Sequence, residues 1–336
     1  MSRRLAEPFA TISNESFREL ERLWEQGLAE DPALYSLVLQ DVQSFAPLVV
    51  GGIGKMVRAT ENIRVPGQLL SRLRSEEGFN EDFVEFLRPL RLMVDIFATS
   101  EGEIVFPGTP VLQIYGRAVD CLLFADFARS CVKRGSLGAT LAYWCRREAR
   151  GARLFLDGRS EAPNPQVIDG CRIASWDGVI GEIEGSLSGL KQINPGDLDG
   201  ALNSESRLDF LEKTQGARVK IALDPMSLVE REAPIEWREH FSQFSGSVNP
   251  GVFRVTRIFS DQGDSESDQV SVDGEALPVG ARPMLERYTD RGRICRPLPE
   301  PARSAVLLLR AESELEEEYA RHRSEWSDRA TALWSE

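Results

Sequence analysis

Histidine is almost missing from this chain: there are two in 336 residues, His240 and His322. That excludes a histidine-rich metal cluster and leaves any histidine-based proton transfer two candidates at most. His322 lies in "EEEYARHRSEW", which reads as a solvated helical surface. His240 lies in "EWREHFSQF", where a structural or solvated role is the simpler reading. Cysteine is also sparse. The five, at 121, 131, 145, 171 and 295, form no CxxC pair and are odd in number. This argues against a disulfide framework and for reduced thiols in a cytoplasmic protein. No uninterrupted apolar run approaches the length of a membrane span. The opening "MSRRLAEPFATISNE" has two arginines but lacks the apolar stretch of a secretory signal. A basic excess is lacking too. The formal net charge of −13 speaks against nucleic acid as a partner and leaves room only for a local basic pocket.

What is present is ordinary for a folded protein: 42% apolar and 28% charged residues, over a length that suits two domains or one large α/β domain. Ser13 or Asn14 can cap a helix carrying Phe17, Leu20, Leu23, Trp24 and Leu28 at helical spacing. After Asp31-Pro32, "ALYSLVLQDVQSF" suggests a second helix, and residues 48–67 give no clear pattern. A helical stretch over 68–91 is broken by Gly78 and Pro89, and another from Asp120 to Arg150 is weakened at Gly135 and Gly138. "ARLFLDG", "VKIALD" and "GVFRVTRIF" read as strands, "DQGDSESDQ" as an acidic loop, and the tail from Arg303 as an acidic helix in which Glu317 and Arg321 pair at i,i+4. Strands alternating with helices in the middle of the chain imply βα units in a parallel sheet or barrel.

The most specific stretch is "FLRPLRLMVDIFATSEGEIVFPGTPVLQIYG" (86–116). Two short apolar strands are hinged on Pro107-Gly108-Thr109-Pro110, where the chain must turn. This stretch closely resembles a segment of the nicotinate phosphoribosyltransferases. Other pieces resemble that family in the same order: "ALYSLVLQ" (33–40) with Tyr35 at a motif tyrosine, and "LFLDGRSEAP" (154–163) with Arg159 at a motif arginine. "CRIASWDGV" follows with Arg172, then "QINPGDLDGAL" (192–202), "VKIALDPMSLVEREAPIEW" (219–237) and "NPGVFRVTRIF" (249–259). The resemblance implies an α/β fold: a reduced, incomplete α/β barrel plus a discontinuous α+β domain containing a β-hairpin. The expected parts are a flexible N-terminus (1–14), an N-terminal α+β domain (15–149), a reduced barrel (150–248), a return segment (249–302) and an acidic C-terminal helix (303–336).

The departures from the family bear on chemistry. Between Asp177-Gly178 and Asn194-Pro195 stands a short stretch, "VIGEIEGSLSGLKQI", where the family carries a much longer insertion with its catalytic histidine. The family's "DSGD" has become Asn194-Pro195-Gly196-Asp197, and its phosphate turn has a blurred counterpart at Ser245-Gly246-Ser247. Arg159 and Arg172 remain to pair a pyridine carboxylate or phosphoribosyl ligand, and Tyr35 to stack on its ring. Gly196, Ser245 and Gly246 remain to cradle phosphate, and Asp197 to bind Mg²⁺. Each has a plain alternative: structural ion pairs for the arginines, core packing for Tyr35, and a turn for "NPGDLDG". Three readings stay open. One is a diverged protein without the standard transfer, acting as a ligand-binding, regulatory or assembly subunit. Another is an enzyme with altered chemistry on a pyridine, nucleotide or phosphosugar. The third is a compact active transferase. The resemblance also implies a homodimer, or a heteromer with a full-length relative.

Overall fold

The computed structural model of the chain describes residues 7–42, residues 48–148 except 62 and 76, and residues 235–244, 253–259, 265–272, 280–298 and 324–335. It also describes the short strands of the 153–223 region and isolated positions between these stretches.

The chain opens with α1 (Glu7–Ala10) and α2 (Asn14–Glu25), then β1 (Pro32–Val42) and β2 (Leu48–Val49). Next come α3 (Ile53–Arg58), α4 (Gly67–Ser75), α5 (Glu81–Leu87), β3 (Asp95–Thr99), β4 (Ile104–Val105), β5 (Pro110–Arg117) and α6 (Ala118–Glu148). Short strands follow at β6 (Arg153–Asp157), β7 (Val179–Ile180), β8 (Leu190–Gln192) and β9 (Lys220–Leu223). The chain then runs through β10 (Ile235–Gln243), β11 (Phe253–Phe259), β12 (Ser265–Val272), β13 (Arg282–Pro283), β14 (Leu285–Arg287), β15 (Thr289–Asp290) and β16 (Arg293–Ile294). It closes with β17 (Ser324–Trp326) and α7 (Asp328–Ser335).

Ser13 caps α2, its hydroxyl accepting from the Ser16 amide, and Phe17, Leu20 and Leu23 turn one apolar face inward. The N-terminal stretch expected to be loose is anchored at Phe9, which is fully buried. "ALYSLVLQ" is a strand and not the expected helix. β1 sits inside an antiparallel sheet of order β10-β1-β5-β3-β14 and is buried on both faces. Such a strand reads as a near-continuous apolar run, which periodicity does not separate from a buried helix. The expected pairing of 104–106 with 111–115 does not form; the hairpin arms are instead β3 and β5, which pair Asp95 with Tyr115 and Ala98 with Leu112. Their connection carries β4, which pairs instead with β2, and turns at Gly108 with φ +90°.

One face of this sheet is covered by α6, whose Cys121 thiol reaches the carbonyls of Ala33 and Ile114. The other face meets a second sheet, β13-β11-β12-β17, with α7 beside it. There Gln113 Nε2 donates to the Phe253 carbonyl, and Phe253 packs edge-on against Trp326 and Trp334. The expected acidic loop is largely β12, and its Asp268 is fully buried. The expected C-terminal helix is interrupted among the described residues by β17, which pairs in parallel with β12. β6, β7, β8 and β9 form an all-parallel sheet of order β7-β6-β9-β8, and among the described residues these strands do not close a barrel. The expected barrel segment 219–237 divides. Its start is β9 of the parallel sheet, while Ile235–Trp237 begins β10, which returns to the first domain as the neighbour of β1. β10 is half-buried to exposed throughout and lies at the edge of its sheet, whereas a parallel barrel strand is buried on both faces.

α6 runs for 31 residues straight through Gly135 and Gly138. Gly135 explains itself by contact: a side chain there would overlap the backbone of Gly51 and Gly52, and Gly52 itself sits at φ +84° against the Cys131 carbonyl. The loop 49–51 is tied to the same helix face, with the Val49 amide donating to Thr140 Oγ1 (3.0 Å) and the Gly51 amide to Ser136 Oγ (3.1 Å). Gly135→Ala is expected to destabilise the fold by about 1–3 kcal/mol or more through overpacking. Gly67→Ala, at a helix start with open space around the α-carbon, should change stability by less than about 1 kcal/mol, in the stabilising direction. Urea denaturation of the two variants side by side checks this.

Between the two sheets lies a buried charge network. The Arg257 side chain is fully buried. It meets Asp268 through two bonds (Nε–Oδ1 2.8 Å, Nη2–Oδ2 3.0 Å), Glu103 at 3.4 Å and the Ile104 carbonyl at 2.5 Å. Its guanidinium also lies over the Phe106 ring. Glu103 in turn holds Arg282 at 2.8 Å. Removing one partner strands the others in the interior, so Arg257→Met should cost about 3–5 kcal/mol in denaturant unfolding. Arg257→Met combined with Asp268→Leu should recover part of that loss. Equal loss in the single and double variants would refute the pairing as the cause.

Candidate functional site

β1 points Tyr35 toward α6, where its ring is buried and only 5% exposed. Its hydroxyl donates to Glu239 Oε2 at 3.2 Å, a carboxylate carried by β10 on the neighbouring strand. Arg129 and Lys133, one turn apart on α6, reach the same carboxylate at 2.9 and 2.8 Å. Arg129 also binds Asp126 at 2.6 Å. Asp126 Oδ2 accepts from the Ser13 amide (3.0 Å) and the Ser16 hydroxyl (2.8 Å), so the network runs on into the start of α2. Two carboxylates, two cations and a phenol therefore clamp α2, α6, β1 and β10 together.

Burial, and then the charge of Glu239, push the Tyr35 phenol well above its ordinary value, so it remains a neutral donor. Burial acts to raise the Glu239 carboxyl, but the bonds and charges of Lys133 and Arg129 outweigh it and hold the group below its ordinary value. The cluster can orient and neutralise; as a proton acceptor at neutral pH it is weak.

Arg172 is exposed, in a helical stretch beside Ile173 and Gly170. Ile173 is buried against Gly51, and a side chain at Gly170 would overlap the Gly135 carbonyl on α6. Arg172 thus lies beside the Gly135–Ala139 part of α6, and Tyr35 beside its Arg129–Lys133 part. Arg159, Gly196, Asp197, Ser245 and Gly246 lie outside the described residues, as does His322. Among the described residues no cluster of three His, Cys, Asp or Glu side chains could hold a metal ion, and no helix is long and apolar enough to cross a membrane. His240 sits on β10 with its ring 4.6 Å from that of Trp334 and its Nε2 against the Ser242 hydroxyl. It belongs to the antiparallel domain and not to the parallel strands. Glu239, Arg129 and Lys133 escaped the sequence reading. The available signal was the i,i+4 spacing of two cations on a helix that must pack on a sheet.

The architecture, an antiparallel sheet domain joined to an open set of parallel strands, is that of the type II phosphoribosyltransferase fold. Known proteins bear this out. The family "nicotinate phosphoribosyltransferase (NAPRTase) N-terminal domain" matches residues 17–127. A nicotinate phosphoribosyltransferase of Bacillus subtilis (strain 168) is 30% identical over 125 residues, covering 36% of this chain and 25% of its own length. That of Caenorhabditis elegans is 26% identical over 177 residues, covering 50% of this chain and 31% of its own. In sequence, then, the chain spans about a quarter to a third of the length of these relatives. In structure the likeness runs further. The crystal structure of human nicotinic acid phosphoribosyltransferase superposes with a TM-score of 0.73 at 16% identity, over 96% of this chain and 99% of that one. A nicotinate-nucleotide pyrophosphorylase from Pyrococcus furiosus gives 0.59 at 14% identity, over 92% and 96%. Residues 17–127 match the N-terminal domain of the nicotinate phosphoribosyltransferases, and the fold of nearly the whole chain resembles theirs.

The depressed Glu239 pKa has a testable sign. A carboxyl whose folded pKa lies below its unfolded value of about 4.3 contributes stability that is full above that value and fades as pH falls through the folded pKa. Glu239→Gln should therefore be destabilised relative to wild type at pH 7, and the gap should close as the pH is lowered below about 4. Urea midpoints across that range give the answer, and a gap independent of pH would contradict it.

Proposed function

We propose that this protein uses the phosphoribosyltransferase fold without the standard transfer reaction, as a ligand-binding, regulatory or assembly subunit of nicotinate metabolism. One observation carries the reading. The chain's two histidines are His240, which lies on β10 of the antiparallel domain against Trp334, and His322 in the C-terminal tail. Neither stands in the stretch after Asp177-Gly178 where the resembling family carries its catalytic histidine. That stretch is here a short Gly-, Glu- and Ser-rich segment, and the acidic motif after it reads "NPGD". Losing one group that stabilises the transition state typically lowers the rate by about 10²–10³-fold, and losing several together leaves little turnover. The similarity in sequence, meanwhile, is concentrated in the N-terminal domain.

Purified protein incubated with nicotinate, phosphoribosyl diphosphate and Mg²⁺ is expected to form no mononucleotide above the enzyme-free background, even at micromolar protein over hours. A thermal-shift panel of pyridine carboxylates and phosphosugars is expected to raise the apparent melting temperature with at least one member, since binding to the native state must do so. Steady mononucleotide formation would overturn the reading.

A further inference from the structure

A cleft of about 310 Å³ opens between the hairpin turn, β1, β10 and the C-terminal segment. It is lined by Val38, Leu39, Gln40, Gly108, Arg238, Trp326, Thr331 and Trp334. Its volume lies at the lower end of the range for small-molecule sites. We infer that this cleft is a binding site for a small planar aromatic anion, held by ring contacts to Trp326 and Trp334 and by a charged contact to Arg238.

The walls are built. Trp326 Nε1 donates to the Gly108 carbonyl at 2.8 Å, which fixes the indole on the turn. The Ser324 amide donates to the Pro107 carbonyl at 2.9 Å, and the Thr109 and Ser324 hydroxyls meet at 2.6 Å, so β17 is stitched along the same turn. The two indoles stand 5.3 Å apart at 59°, and both line the cleft. Such a pair accepts a third flat ring in offset or edge-on contact.

The charge is one-sided. Among the described residues the lining contains one cation and no carboxylate. Arg238 is exposed at the rim, its guanidinium carbon 5.2 Å from the centre of the Trp334 ring. Among the described residues it makes no ion pair. The neighbouring Glu239 points to the opposite face of β10 and is engaged by Arg129 and Lys133. A guanidinium stacked on an indole keeps its planar edge of donors free for a carboxylate, and Gln40 adds an amide at the rim. An uncharged aromatic would gain the ring contacts alone, and a small inorganic anion the charge alone; the two together select a flat ring bearing an acid.

This inference is independent of whether the chain transfers a phosphoribosyl group, since its test contains neither nicotinate nor phosphoribosyl diphosphate. The probes are 2-naphthoate and its uncharged analogue 2-naphthalenemethanol, titrated into the full chain by calorimetry. Wild type is expected to bind 2-naphthoate saturably with one site per chain. Arg238→Gln, an exposed substitution that leaves the fold intact by circular dichroism, should weaken it by about tenfold or more and leave binding of the neutral analogue unchanged. Trp326→Phe should weaken both probes. Absence of saturable 2-naphthoate binding to wild type at millimolar concentration, or equal affinity in Arg238→Gln, would overturn the assignment.

Discussion

A guanidinium inside a protein must have its hydrogens and its charge answered, and Arg257 is answered by two separate pieces of chain. Asp268 comes from the neighbouring strand of its own sheet, while Glu103 and the Ile104 carbonyl come from the connection between the hairpin arms. The ion pairs therefore dictate how the two sheets stack. If the connection shifted, Glu103 would lose Arg257 and Arg282 together, and the buried charges would face an apolar interior. Apolar contacts alone tolerate sliding, whereas a two-bond ion pair does not. The turn at Gly108 depends on the same register, because its backbone is shared between Leu39 of β1 and Ser324 and Trp326 of the C-terminal segment. The cleft exists because the turn, the edge of β1 and α7 are held at a fixed separation.

On the other side of the sheet the constraint is steric. Gly51, Gly52, Gly135 and Gly170 bring three stretches of backbone closer than any side chain allows. This explains why a helix of this length runs through Gly135 unbroken. The contact costs helix propensity, and the close approach lets Ser136 and Thr140 satisfy the loop's amides where water is excluded. A glycine inside a helical pattern signals either a weak point or a close neighbour, and sequence alone does not separate the two.

The same ambiguity sets the limit of what the sequence revealed. Within Glu101 to Gly116 the turn at Pro107-Gly108 was legible because turn chemistry is local, but the strand partners were not: β4 pairs with β2, and β5 with β1 and β3. The α2 cap at Ser13 was legible for the same reason. β1 was not. A strand buried on both faces shows no alternation, and only its partners β5 and β10, remote in sequence, decide its state. Arg257 carried a signal that could have been read. In "FRVTRIF", Phe253, Val255 and Arg257 fall on one face at period two, so an arginine at an inward position announces a buried pair. Of the expected site residues, Tyr35 was visible as a residue but not as a member of a clamp. Its partners Glu239, Arg129 and Lys133 are assembled by strand pairing and helix packing, of which the i,i+4 spacing of the two cations is the local trace.

The contrast between the two comparisons has a physical origin in these constraints. The family match covers residues 17 to 127 and the nematode relative aligns over half of the chain, while the fold can be followed over nearly all of it. The N-terminal domain is dense with positions that admit few residues: glycines in close contact, a left-handed turn, and buried amides that need a hydroxyl opposite them. Such positions hold a sequence in place. Parallel strands ask less, since any run of branched apolar residues of the right length will pair, so that part of the fold can persist while its sequence drifts. Chemistry in such a fold resides where the parallel strands meet their loops, and that is the part whose motifs are altered here. The stretch that fixes the geometry of this chain is therefore the one that still resembles its relatives in sequence.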